Sequence, residues 1–149
     1  MRNTVRRPVN AADIITAYQE AFGVSIWTLI FDTIAKLFGG GGTFHLADQS
    51  YAVVDEGIIF DILVKDKTDL ETYKAEDFDC DDFAFRLMGV FHQDLRTAAM
   101  PIFITWVSMP EGGHAVLSYY KHGQVKIIEP QNDDIYDVPK EWGLMLLCG

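Results

Sequence analysis

The most constraining feature of this chain is a predicted β-hairpin in its second half. Residues 115–120 and 124–128 are rich in β-branched and aromatic side chains. His122 and Gly123 stand between them, and a two-residue connection of this kind is typical of a tight hairpin turn. The pattern therefore predicts two neighbouring antiparallel strands whose register the turn determines.

The other patterns place this hairpin in an α+β fold. Residues 80–91 repeat apolar side chains at helical spacing, and residues 101–109 and 144–147 are β-rich. We expect one domain in which N-terminal helices and the helix at 80–91 pack on an antiparallel sheet. The remaining predicted elements are helices at 11–22 and 26–38, short strands at 51–54 and 58–64, and a loop at 71–79.

The two N-terminal helices have recognisable ends. Asn10 and Ser25 are suitable N-caps, and Gly23 is suitable for ending the first helix. The second helix contains Asp32 and Lys36 and is too short to span a bilayer, so we predict a buried helix. The four glycines at 39–42 read as a flexible turn, because no Lys-Ser or Lys-Thr follows to make a phosphate-binding loop.

Composition limits the class of protein and of partner. The 149 residues suit a single core, and 49% of them are hydrophobic. A net charge of −10 argues against nucleic acid, and Arg2, Arg6 and Arg7 read as a solvated tail. Neither a signal-peptide pattern nor a membrane span is evident, so we predict a cytoplasmic protein, with secretion of a processed form left open.

Two cysteines occur, Cys80 and Cys148, and their number and spacing indicate neither a disulfide framework nor zinc. Cys80 stands where the acidic loop becomes a helix. A thiolate at that position is stabilised by the helix dipole, and free backbone N–H groups there can form part of an oxyanion hole. The competing interpretation is a buried structural cysteine, since Cys is among the most buried residue types.

His114 is the candidate base for a Cys80 nucleophile, because two glycines precede it at the entry to a predicted strand. With Lys121 paired to Gln124, the hairpin sets His114 opposite residue 131 and Val116 opposite residue 129. The side chains able to orient the imidazole are therefore Glu129, Gln131 and Asn132, in that order of preference.

The segments D-C-D-D-F-A at 79–84, G-H-A-V-L at 113–117 and I-I-E-P at 127–130 follow one another in a recognisable order. They resemble the bacterial transglutaminase-like cysteine proteinases, and they look like the papain-like C-terminal domain of a mushroom agglutinin. The resemblance implies a papain/transglutaminase-like fold with Cys80 as nucleophile, His114 as base and Glu129 as orienting carboxylate. Glu129 stands where the bacterial family has Asp, and the papain-type Gln before the nucleophile is missing.

Acidic residues crowd the thiol, and like charges disfavour a thiolate. Protonated His114 can balance them, or a bound Ca²⁺ can, with Asp79, Asp81 and Asp82 as ligands. Both relatives named above are calcium-dependent. Capping of the helix by Asp79, with Asp81 and Asp82 in its first turn, explains the same residues without a metal.

These observations predict a single domain, 1–149, with a helical part of unknown role at 1–70 and a catalytic core at 71–149. The predicted function is a cysteine hydrolase or peptidase that cleaves or transfers an amide of a protein or peptide substrate through a thioester at Cys80. The alternative is a non-catalytic interaction or assembly module on the same scaffold. Neither nucleic acid nor membrane is an expected partner, and the oligomeric state stays open.

Overall fold

The computed structural model describes residues 8–38 and 42–149. The predicted tail arginines Arg2, Arg6 and Arg7 and the glycines at 39–41 lie outside the described residues. The helices are α1 (Ala11–Ala21), α2 (Ile26–Leu37), α3 (Glu56–Leu63) and α4 (Cys80–Gln93). The strands are β1 (Val9–Asn10), β2 (Phe44–His45), β3 (Ser50–Tyr51), β4 (Ile102–Met109), β5 (Gly112–Lys121), β6 (Gln124–Ile128), β7 (Ile135–Asp137) and β8 (Gly143–Cys148).

The predicted hairpin is confirmed as β5 and β6. Lys121 pairs with Gln124, and the antiparallel register continues to the Leu117–Ile128 pair. His122 and Gly123 have φ angles of 50° and 83°, the positive values that a type I′ turn requires. The register derived from the turn is therefore the observed one.

The main sheet has the strand order β2-β8-β4-β5-β6-β7. Its pairings are antiparallel except for the one between β2 and β8, which is parallel. The mixed α/β fold with a mostly antiparallel sheet is thus confirmed, whereas a wholly antiparallel sheet is not. The sequence patterns missed β2 and β7, because strands of two and three residues are too short to show a period.

The two faces of the sheet bury separate apolar clusters. One cluster, here the α4-side core, joins α3 and α4 to alternate sheet residues such as Ile104, Ala115 and Leu117. The other, the α1-side core, joins α1 to the intervening residues such as Val107 and Val116. Because side chains alternate along a strand, β5 contributes to both cores and is covered on both faces.

Helix α1 is anchored to the sheet by a buried hydroxyl network. The N-cap is as predicted, since the Asn10 side chain accepts a bond from Ala12 N at 3.0 Å. Tyr18 Oη lies 2.6 Å from Ser118 Oγ, which in turn lies 2.5 Å from Thr105 Oγ1. Burial raises the pKa of the Tyr18 phenol far above its usual value, so this hydroxyl stays protonated.

The strand predicted at 58–64 is wrong, because this segment is the helix α3. Asp55 caps it by accepting a bond from Gly57 N at 3.0 Å. The buried side chains Ile59, Ile62 and Leu63 follow helical spacing and fill the α4-side core. A short run of β-branched residues does not distinguish a strand from a buried helix, and the cap and the packing decide here.

The prediction that the second helix is buried is also wrong. Helix α2 exists, and Ser25 Oγ accepts a bond from Thr28 N at 3.3 Å as expected of its cap. Seven large apolar side chains on and just after it are 43% to 86% exposed. They form the α2 stripe: Ile26, Trp27, Ile30, Phe31, Ile34, Leu37 and Phe38. Trp27, which a buried helix would place in the core, is therefore not a core residue.

Within residues 8–38 and 42–149, none of the helices combines the length and the apolar character needed to cross a membrane.

The turn between β6 and β7 holds a strained acidic residue and yields a prediction about stability. Asp133 has a φ of 60°, and its Oδ1 is buried with no partner among the described groups. The pKa of Asp133 is raised from 3.8 to about 6. Burial is the main cause, and electrostatic repulsion from Asp69 and Asp66 adds to it. The folded state therefore binds this proton more tightly than the unfolded state, and it loses stability as pH rises through this range.

We expect Asp133→Asn to raise the melting temperature above pH 6, because Asn tolerates the positive φ and carries no charge. The gain should be about 1 kcal/mol after allowance for solvent screening. It should disappear below the unfolded pKa of 3.8, where the wild-type carboxyl is neutral in both states. Thermal unfolding at several pH values measures this, with the exposed Glu20→Gln as control. A gain that is the same at all pH values would contradict the argument.

Candidate functional site

Cys80 is the first residue of α4, and its neighbours cap that helix. Asp82 Oδ2 accepts a bond from Asp79 N at 3.2 Å, so the first turn is closed by its own acidic residue. The Cys80 side chain is partly buried and packs against the α4-side core. The structure thus contains the helix cap that was one of the two explanations for these acidic residues.

The acidic residues before and after Cys80 form a compact group. Asp79, Cys80 and Asp81 bring potential ligand atoms within 4.8 Å of one another. A hydrogen bond to the Asp79 carboxyl, followed by burial, raises the pKa of Asp81. Two carboxyl groups in this contact need a shared proton or a cation between them. The carboxylates of Asp79 and Asp81 therefore fit a hard cation. Asp82 was also predicted as a calcium ligand, but its carboxylate accepts the capping hydrogen bond from Asp79 N.

His114 is held by Glu129, the first of the three orienting side chains considered. Their Nε2 and Oε2 atoms lie 2.7 Å apart, and the side chains are only 13% and 14% exposed. Glu129 Oε1 also accepts a bond from Gln131 N at 3.4 Å, while the Asn132 amide donates to Asp134. Glu129 consequently fixes the orientation of the imidazole ring.

Two aromatic residues complete this arrangement, and sequence reasoning did not find them as site residues. The Trp142 ring stands edge-on to His114 and to Tyr136, with centroid distances of 6.2 and 6.1 Å. Burial and the Glu129 carboxylate raise the pKa of Tyr136 well above its usual range, so its phenol stays protonated and can donate to Glu129. We call His114, Glu129, Tyr136 and Trp142 the imidazole cluster.

Five of the six predicted site residues occur in two sets of contacts, His114 with Glu129, and Asp79 with Cys80 and Asp81. Register places His114 beside Val107, a member of the α1-side core, and Trp142 packs against the same core. Cys80 packs against the α4-side core together with Trp106. Because side chains alternate along β5, His114 and its neighbour Ala115 point to opposite faces of the sheet.

One concavity among the described residues is lined by none of the six predicted site residues. It measures about 740 Å³ and is lined by residues between the end of α3 and the end of α4, among them Lys65, Leu95 and Arg96. Two of its cations are paired, Lys65 with Asp61 and Arg96 with Asp94. A second concavity of about 540 Å³ lies against Trp106 and His45.

Comparison with known proteins gives similarity in structure alone. Neither a protein family nor a curated protein matches the chain. The fold is similar to that of the Polyporus squamosus lectin PSL1a in its complex with E64, with 18% identity and a TM-score of 0.74 over 95% of this chain. It is also similar to Polyporus squamosus lectin bound to the human-type influenza-binding epitope Neu5Aca2-6Galb1-4GlcNAc, with 17% identity and a TM-score of 0.69.

The chain spans about half the length of these solved structures, 51% of the first and 49% of the second. At these identities the comparison establishes a shared fold. A sugar-binding protein thus contains the architecture that the motifs had associated with proteinases.

The structural neighbours overturn the assignment to papain and transglutaminase-type peptidases, and with it the prediction of a cysteine hydrolase. The comparisons do not test the roles assigned to Cys80, His114 and Glu129, and these stay predictions from the sequence; of them, the structure shows the His114–Glu129 contact. The physical reason for the overturned peptidase assignment is that the matching segments are a capped helix start and a hairpin. These are elements of the fold, and one fold carries unrelated functions.

The calcium site is untested by these comparisons and stays a prediction. Ca²⁺ bound through Asp79 and Asp81 should raise the melting temperature by several degrees when its concentration is well above Kd, because only the folded chain brings the two carboxylates together. Differential scanning fluorimetry measures the shift, and chelation should reverse it. Asp81→Asn should abolish the shift, whereas Asp77→Asn, an exposed control, should keep it. An unchanged melting temperature together with no heat of binding would rule the site out.

Proposed function

We propose that this chain is a non-catalytic binding module and that its ligand is a glycan. The observation that carries the proposal is the imidazole cluster, in which an indole, a phenol, an imidazole and a carboxylate meet at a partly exposed position. Binding sites for small ligands combine aromatic surface with a few fixed polar groups in this way.

The chemistry of the cluster suits a sugar. A pyranose ring offers an apolar C–H face, which packs on an aromatic ring such as that of Trp142. Its hydroxyl groups both donate and accept hydrogen bonds, and they match the carboxylate of Glu129 and the imidazole of His114. A peptide backbone would need extended strand pairing or a charged terminus pocket, and the cluster supplies neither of these features.

Glu129 prepares the cluster for binding. With the proton on Nε2, His114 donates to Glu129, and its Nδ1 becomes an acceptor for a ligand hydroxyl. Tyr136 and Gln131 N also direct their donors to this carboxylate. A group held from several sides loses little rotamer freedom on binding, which lowers the entropic cost of association.

The structural neighbours support the class of ligand. One of them is a lectin bound to a sialylated epitope by its printed description, and that glycan belongs to the lectin. The shared architecture makes a glycan the first ligand to test here. The peptide substrate expected from the sequence depended on the peptidase assignment and is withdrawn with it.

The test is a glycan array probed with the purified chain, followed by calorimetry on the glycans that bind. Trp142→Ala and His114→Ala should each lower affinity about tenfold or more, since each removes a desolvated contact. Glu129→Gln keeps the size of the side chain and should weaken binding by misorienting the imidazole. The exposed His92→Ala is the matched histidine control and should bind as the wild type does.

Cys80→Ala separates binding from catalysis. It should leave glycan affinity within about twofold of wild type, because the thiol packs against the other core. Circular dichroism confirms that each variant is folded. Failure of the folded wild type to bind any glycan, or affinity that is equal in all cluster variants, would overturn the proposal.

A further inference from the structure

Helix α2 has its polarity reversed relative to an ordinary surface helix. Leu29, Asp32 and Thr33 face the body of the protein, where they line a groove of about 410 Å³ against α1 and β2. Asp32 Oδ2 accepts a bond from Thr43 N at 2.9 Å, which ties the helix to the strand that follows. The outer face is the α2 stripe, whereas a surface helix normally turns its apolar face to the core.

The α2 stripe is continuous along the helix. Its members recur at spacings of three and four residues, so they form one face. Trp27 and Phe31 are adjacent on this face and are 67% and 68% exposed, and Phe38 at its end is 86% exposed. Exposed apolar patches of this extent mark interaction surfaces in soluble proteins.

We propose that the α2 stripe is the interface with a second copy of this chain, formed by two antiparallel α2 helices related by a two-fold axis. At roughly 200 Å² per large side chain and the observed exposures, the stripe offers roughly 900 Å². A standard stable interface buries about 800 Å² per partner, so the stripe alone is large enough. A two-fold interface uses the same patch on both copies and needs only that the patch be self-complementary.

The charge distribution favours a second copy of the chain over a membrane surface as the partner that covers the apolar face of α2. The side chains of the stripe are uncharged, so two copies bring no like charges together there, although the chain as a whole carries −10. A membrane-surface helix carries Lys and Arg on its polar face, and anionic lipid repels an acidic protein. Here Asp32 of α2 is turned to the protein, and the sequence of the helix contains a single lysine, Lys36, and no arginine.

The experiment measures the oligomeric state of the full chain by light scattering after size exclusion and by sedimentation. The wild type should have twice the mass of the 16.8 kDa chain at micromolar concentration. Phe31→Glu should give a monomer, because two carboxylates would be buried at the centre of the interface. Phe60→Glu is the matched control, since Phe60 is 53% exposed on α3, and it should remain a dimer.

Both substitutions are at exposed positions, and equal melting temperatures in dilute samples confirm that the variants fold. Co-sedimentation with phosphatidylcholine vesicles distinguishes the membrane alternative. A wild type that is monomeric at all concentrations overturns the proposal, as does a monomer that pellets with vesicles. A dimer that persists in both Phe31→Glu and Trp27→Glu overturns the assignment of the interface to α2.

Discussion

The covered strand β5 is the element on which the rest of the structure depends. It pairs with β4 on one side and β6 on the other, and its alternating side chains fill the cores on both faces. Ser118 lies at its buried centre and holds Tyr18 of α1 and Thr105 of β4 through hydroxyl bonds. Loss of the Ser118 hydroxyl would leave buried partners unsatisfied, at a cost of about 1–3 kcal/mol. One strand thus positions α1, α4 and His114 together.

The same strand determines how the segments that the sequence motif linked are arranged in space. Neighbouring residues of β5 belong to different faces, so the His114 segment contributes its imidazole to one side and Ala115 to the other. The Glu129 carboxylate forms hydrogen bonds with His114, with Tyr136 and with the backbone N–H of Gln131. In a binding module this network holds the imidazole rigid and fixes the direction of its hydrogen bonds. Ligand recognition needs such fixed polar groups as much as catalysis does.

Helix α2 connects the proposed binding function to assembly. A dimer through the α2 stripe would carry two copies of the imidazole cluster on one particle. Glycans are displayed at high density on surfaces, so paired sites would gain avidity through effective concentration without any new contact. The dimer would then account for the outward-facing apolar side of α2, since that side would be buried only when two copies of the chain associate.

The sequence by itself determined the elements whose signals are local. The hairpin turn at His122-Gly123, the Asn10 and Ser25 caps, the start of α4 at Cys80 and the contact between the His114 and Glu129 segments follow from spacing and turn chemistry. Only the tertiary structure decided which face each element buries. Residues 58–64 became a helix because the α4-side core takes their helical face, and the apolar α2 stayed exposed because its anchored side is Leu29 and Asp32. Trp142 and Tyr136 joined His114 through β7 and the turn before β8, and such long-range packing leaves no period in the sequence.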